Sequence, residues 1–430
     1  MMLKFWREWQ RPVELWLLLA FVFFLPLREA PKNIFWGLYI ITWVVNRARA
    51  RDFGGRWDGW DTLSALWIAS GYLAAMFAGI HRGDGNEVAA VNDLVKYVSL
   101  FWCVRRARYS GAEAVTLLYA LVFSCVVAEV EALWRWLVTH KRHALELVSV
   151  GQVNHSAIYM TICFGIDAAL TLVYWRKLAR SWRVLLVTAG LVMLIGLFLT
   201  GSRAAAGAAV LLICVLALMC ARLLGLGRAA WAGALLLVSV ALVIGGTKAL
   251  QRQIENTEEN NILSERDLIW NRGLVAWRAS PWFGLGPDNY SQITERDLRA
   301  QLAIEGKPYN PHEYVAAPHA HNLYINWLVE RGVVGLSALL AVLGAWGLAL
   351  WRYRPRAGID DAQMVLWCAS FSGWLVTVLI GFVNTTMHHE HALLALITLG
   401  LWLPLARALP QAARGTDQAL HPGEAFAAGR

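Results

Sequence analysis

The stretch Pro318-His319-Ala320-His321-Asn322-Leu323-Tyr324-Ile325-Asn326-Trp327-Leu328-Val329-Glu330-Arg331-Gly332 decides how the chain is read. A long polar segment ends here and an apolar segment of membrane length begins. Two histidines stand at a predicted helix start, just after a proline. Ten residues separate His321 from Gly332. The positive end of a helix disfavours an imidazolium, so a histidine placed there stays neutral near pH 7 and can accept a proton. The same helix end attracts phosphate oxygens. A base and an anion site can therefore share one place.

Outward from that stretch the chain is apolar. Of its 430 residues 58% are hydrophobic and only 16% charged, where a soluble protein carries about a quarter charged. The apolar residues fall in long blocks, which predicts an all-α polytopic membrane protein. About twelve spans are expected, near 13–28, 31–47, 61–80, 88–104, 112–136, 154–175, 183–200, 204–222, 228–247, 333–351, 363–383 and 391–408. The net charge of +9 suggests nucleic acid until its placement is considered. The cations lie between the apolar blocks, and alternate loops hold most of them, for instance Arg47, Arg49, Arg51 and Arg105, Arg106, Arg108. This asymmetry predicts both termini on the cytoplasmic side. The 23 tryptophans suit interfacial belts. The six cysteines lie in or beside apolar runs and form neither a disulfide framework nor a thiolate metal site.

Four regions are expected: membrane helices one to nine over 1–247, a helical outer loop domain over 248–332 carrying the histidine motif, three further spans over 333–409, and a disordered cytoplasmic tail over 410–430. Val138 to Asn154, mixed apolar and basic, is expected to lie flat at the outer interface.

The candidate residues collect on the outer face. Arg203, after Gly201 and Ser202, lies between two spans with almost no loop. It is either a headgroup anchor or a phosphate clamp, with the turn adding backbone donors. Arg266, Arg272 and Arg278 follow at six-residue intervals, a pattern that also describes an ordinary solvated helix face. His388-His389-Glu390-His391 precedes the last span and, with His312, His319 and His321, makes a histidine-rich face. No metal signature is present, because the spacing matches none and neighbouring ligands on one helix point apart. Asp93 and Lys96 are placed to pair on one helix face. Glu129, Glu131, Asp167 and Lys248 are further charges at membrane depth.

Thr200-x-Ser202-Arg203, His319-x-His321-Asn322, Glu330-x-Gly332-x-x-Gly335 and one late outer loop together resemble the O-antigen ligase and polymerase superfamily. So does Arg266 followed, after fourteen intervening residues, by Pro281-x-x-Gly284-x-Gly286. The likeness covers most of 190–400. The ligase branch carries the spacing seen from His321 to Gly332. The resemblance implies a GT-C-like fold of membrane helices with a helical periplasmic domain in the bacterial inner membrane. It implies inverting transfer of O-antigen from undecaprenyl diphosphate to the lipid A-core oligosaccharide, with no nucleotide sugar, cofactor or metal. On this reading Arg203 and Arg266 hold the diphosphate and His321 is the base. His319, Asn322, Tyr324, Ser202, Arg272 and Glu390 are supporting candidates, and the Gly284–Gly286 turn is a hinge for closure. Two departures stand out. Gly207 occupies the position where the ligase arginine motif has leucine, and a histidine cluster surrounds Glu390 where a lone acid is expected. A polymerase, a ligase of oligosaccharide onto protein, and a transporter remain alternatives. Against a transporter, the chain has no repeated halves.

Overall fold

The computed structural model describes residues 2–80, 86–139, 144–225 and 265–419. Among them are thirteen α-helices and no strand: α1 Met2–Phe24, α2 Glu29–Ala50, α3 Gly59–Met76, α4 Asn86–Ala107, α5 Gly111–Thr139, α6 Val153–Tyr174, α7 Arg180–Thr200, α8 Arg203–Leu224, α9 Arg266–Trp277, α10 Glu295–Ile304, α11 Leu323–Arg352, α12 Asp361–Ile380 and α13 His389–Ala419. Local chemistry sets several ends. Asp58 and Asp61 form a reciprocal capping box at α3, and Thr294 and Asp297 do so at α10. Gly201, at φ +69°, ends α7 in the left-handed conformation, so Ser202 alone separates it from α8.

Helices stand at eleven of the twelve expected spans; the stretch 228–247 and Lys248 lie outside the described residues. Seven described helices are long and apolar enough to cross a membrane: α5, α6, α7, α8, α11, α12 and α13, the last over His389–Ala406. Helices α2, α3 and α4 are not among them. Buried charge marks these three, and it is paired. Lys32 bonds Glu390, while Arg105 and Arg106 converge on the fully covered Asp61. Buried ions persist only when matched in this way.

Helix α6 is enclosed along nearly its whole length, packed against α7, α8 and α12, while α13 lies against α4 and α12. Residues 265–322 gather round a second, smaller core built from Ile269, Val275, Leu285, Tyr290, Leu298 and Leu302. Three expectations change. Residues 144–152 form turns with Leu145 and Leu147 fully buried, and not a helix lying on the surface. Asp93 does not pair with Lys96, whose ammonium donates to Asn33. Helix α13 runs through Pro410 to Ala419, where a disordered tail is expected.

The fourth change concerns α11. It begins at Leu323, ten residues before the expected span, and breaks at Gly332, where φ is +63° and ψ −170°. The Pro281–Gly286 turn fills the break. The amides of Leu285 and Gly286 donate to the carbonyls of Val329 and Glu330, each at 2.9 Å. The amides of Val333 and Val334 donate to the carbonyls of Pro281 and Trp282, at 2.9 and 3.1 Å. From its other side, the turn's carbonyls at Gly284 and Leu285 accept from Gly79 and Ile80 at 3.1 and 3.2 Å. The turn is therefore a splice between two half-helices, and not the free hinge expected from its glycines. A Cβ on Gly332 would run into the Trp282 carbonyl, and one on Gly284 into the Glu330–Arg331 peptide. Gly332→Ala should thus lower the melting temperature of detergent-solubilised protein, the positive φ alone costing about 1–3 kcal/mol. Gly344→Ala, with nothing near its Cβ, should be neutral or mildly stabilising. Equal melting temperatures for the two variants would contradict the splice.

Candidate functional site

The backbone around Ala320 is fixed before the histidines are placed. Its amide donates to Asn326 Oδ1 at 3.0 Å, and its carbonyl accepts from Trp270 Nε1 at 2.8 Å. With Ala320 held on both sides, the rings of His319 and His321 meet with centroids 4.2 Å apart. His321 has φ +48°, a left-handed conformation rare for a residue with a side chain. Asn322 caps α11, its Oδ1 accepting from the Tyr324 and Ile325 amides at 3.0 Å each. The Asn322 side-chain amide donates to the Phe382 carbonyl at 2.9 Å, and Tyr324 Oη donates to the Val378 carbonyl at 2.9 Å. Asn322 and Tyr324 thus anchor the motif to the end of α12.

Burial lowers the pKa of His321; the Arg266 charge lowers it further, and a hydrogen bond with Asn384 acts the other way. His319 is brought down to about 4, by burial first and then by its histidine neighbours. Both rings are neutral at pH 7. His321 Nδ1 and His319 Nε2 are covered and have no hydrogen-bond partner. Asn384, in the loop between α12 and α13, carried no sequence signal.

The two arginines converge. Arg266, the first residue of α9, is half-buried, and burial and then the Arg203 charge depress its guanidinium. Among the described residues no carboxylate pairs with Arg266. Arg203 is the first residue of α8, and the Ser202 amide is held by Thr200 Oγ1 at 3.2 Å. The Arg203 charge acts on Arg266 and the Arg266 charge acts on His321, so two guanidiniums and a neutral imidazole from three separate elements form one neighbourhood suited to a multiply charged anion. Arg272 is elsewhere: six residues on from Arg266, roughly 120° round the helix, it donates to the Ile293 carbonyl. Arg278 pairs with Glu305 at 2.8 Å, and His312 is exposed in a separate 3-10 turn.

Behind His319 lies a histidine that the spacing gave no reason to include. His155, in the first turn of α6, has its ring centroid 6.1 Å from His319, 5.7 Å from His388, 5.8 Å from His389 and 5.1 Å from His391. His155, His388 and His389 can bring one nitrogen each to within 4.8 Å of the others, a set that could hold a metal. The objection that neighbouring ligands point apart fails here, because His389 has φ +46° and leaves the regular helix. Glu390 is buried against Lys32, a partner that sequence reasoning also missed. Both line a cavity of about 340 Å³ with Glu29, Asp93, Lys96 and His155.

Seven membrane-length helices among the described residues, with a basic, histidine-bearing site beside them, define a multi-pass membrane protein. Residues 188–340, about a third of the chain, match the family described as O-antigen ligase. The matched stretch holds Arg203, Arg266, His321 and Gly332. An uncharacterized protein of Haemophilus influenzae is similar at 28% identity over 91 residues, 21% of each chain, so the match spans about a fifth of that relative's length.

The electrostatics of His321 can be checked directly. In histidine-labelled protein its NMR signal, assigned by loss in His321→Asn, should titrate below pH 6.5. Arg266→Ala should move that midpoint upward, because removing a nearby cation favours the imidazolium. An unchanged midpoint would separate the two residues.

Proposed function

We propose that the protein transfers O-antigen polysaccharide from undecaprenyl diphosphate to the lipid A-core oligosaccharide at the periplasmic face of the bacterial inner membrane. The observation that carries this reading is the convergence of Arg203 and Arg266, without a carboxylate for Arg266, beside the neutral His321. The topology that suits it has twelve spans, both termini in the cytoplasm and residues 248–332 outside.

The acceptor hydroxyl attacks the anomeric carbon of the donor sugar. Its proton passes to the neutral imidazole of His321. The bond from the anomeric carbon to the diphosphate oxygen breaks, and its electron pair leaves with undecaprenyl diphosphate. Attack opposite the leaving group inverts the anomeric configuration. The base contributes on the order of 10²–10⁴-fold. Arg203 and Arg266 neutralise the departing diphosphate, since the planar guanidinium fits its oxygens in pairs. The transfer step therefore needs no metal ion. Prenyl and acyl chains reach the site sideways between helices.

Purified protein, mixed with undecaprenyl-diphosphate-linked glycan and rough lipopolysaccharide in the presence of chelator, should shift the lipopolysaccharide on a gel. His321→Ala and Arg203→Ala should retain the fold and lose the shift, by roughly 10²-fold or more. Lengthened chains on the lipid carrier, with no product on lipopolysaccharide, would make the protein a polymerase. Glycan on a protein acceptor would make it an oligosaccharyltransferase. Full transfer by His321→Ala would remove the base from the mechanism, and no reaction with transport in vesicles would favour a transporter.

A further inference from the structure

The histidines behind the proposed base are not used by the transfer chemistry. His155 is 4% exposed, and its Nε2 and His388 Nδ1 are covered without a hydrogen-bond partner. An unpaired buried polar atom is destabilising, so a cluster that leaves several invites a ligand able to satisfy them together. The donors come from two distant parts of the chain. His155 stands in the first turn of α6; His388 and His389 stand where the chain enters α13. The left-handed φ of His389, +46°, lets adjacent side chains serve one point, and the two rings lie 3.6 Å apart.

We infer that His155, His388 and His389 form a binding site for a late first-row divalent cation, with zinc the best fit. Neutral imidazoles are borderline-soft ligands of the kind zinc, copper and nickel take, whereas magnesium and calcium require oxygen. Three imidazoles around tetrahedral zinc leave a fourth position open. The nitrogens lie within 4.8 Å of one another, where zinc bond lengths of about 2.0–2.1 Å place them roughly 3.3 Å apart. His388 is half-buried and His389 exposed, so small side-chain rotations can close that difference. The cavity of about 340 Å³ lined by His155 and His389 gives access, and on its wall the three carboxylates of Glu29, Asp93 and Glu390 outnumber the ammonium groups of Lys32 and Lys96. The bound ion would brace α6 against the loop before α13, with the His319 ring on its far side. The ligands all lie outside the stretch that matches the family, and the inference does not depend on the proposed reaction.

Full-length protein without a polyhistidine tag, stripped with chelator and dialysed against zinc, should retain about one zinc ion per chain by atomic absorption. Cobalt in its place should give the visible absorption of a four-coordinate ion. His389→Ala, at an exposed position that the fold tolerates, should weaken zinc binding at least roughly tenfold, as should His155→Ala. His312→Ala and His321→Ala should bind as the wild type does. Folded wild-type protein that retains no zinc, or undiminished binding in both His389→Ala and His155→Ala, would overturn the site. Loss of transfer in His321→Ala with zinc retained would separate this site from the base.

Discussion

At Gly332 helix α11 gives up its own hydrogen bonds, and the rest of the site depends on what replaces them. Four amide-to-carbonyl bonds from the Pro281–Gly286 turn close the gap. In a low-dielectric setting an open helix break would leave several backbone groups unpaired, each at a cost of several kcal/mol. The turn can do this only because Gly332 and Gly284 have no Cβ to collide with the opposing peptides. The result is a short half-helix from Leu323 to Arg331, held rigidly against the segment that carries Arg266. Its positive end points at the His319–His321 stretch. The spacing from His321 to Gly332 is the length of that half-helix plus its cap.

The site built on this frame is unusual in its charge. Elsewhere buried cations meet carboxylates, as Lys32 meets Glu390 and Arg105 and Arg106 meet Asp61. Arg266 instead lies beside another arginine. On the proposed reading the lipid diphosphate supplies the counter-charge that Arg266 does not find in a carboxylate among the described residues. Burial first, and then the charge of Arg266, keep His321 neutral and able to take a proton. Anion binding and base strength are thus coupled through one distance, between Arg266 and His321.

Much of this was legible in the sequence, because hydropathy blocks mark helices well and the glycine and histidine motifs lie close together in the chain. Misreadings came where tertiary pairing hid the signal. The Glu330–Arg331 pair, buried with the guanidinium over Trp327 at 4.4 Å, made the start of α11 look extramembrane. The glycines of the splice read as a hinge, since sequence shows their freedom and not the peptide packed against them. His155 and Asn384 were missed because a single histidine or asparagine far from the motif has no periodicity to reveal it; only the packing of α6 and the loop before α13 brings them in. Arg272 shared the spacing of Arg266 but not its direction.

The central claim is that Arg203 and Arg266 together hold a lipid diphosphate. The most direct measurement is the affinity of detergent-solubilised protein for undecaprenyl diphosphate, compared between wild type, Arg203→Gln, Arg266→Gln and the double variant. Each single change should weaken binding by roughly 1.5–3 kcal/mol, a charge-assisted bond, and undecaprenyl monophosphate should discriminate less among them. Equal affinity across all four proteins, with the fold retained, would contradict the account.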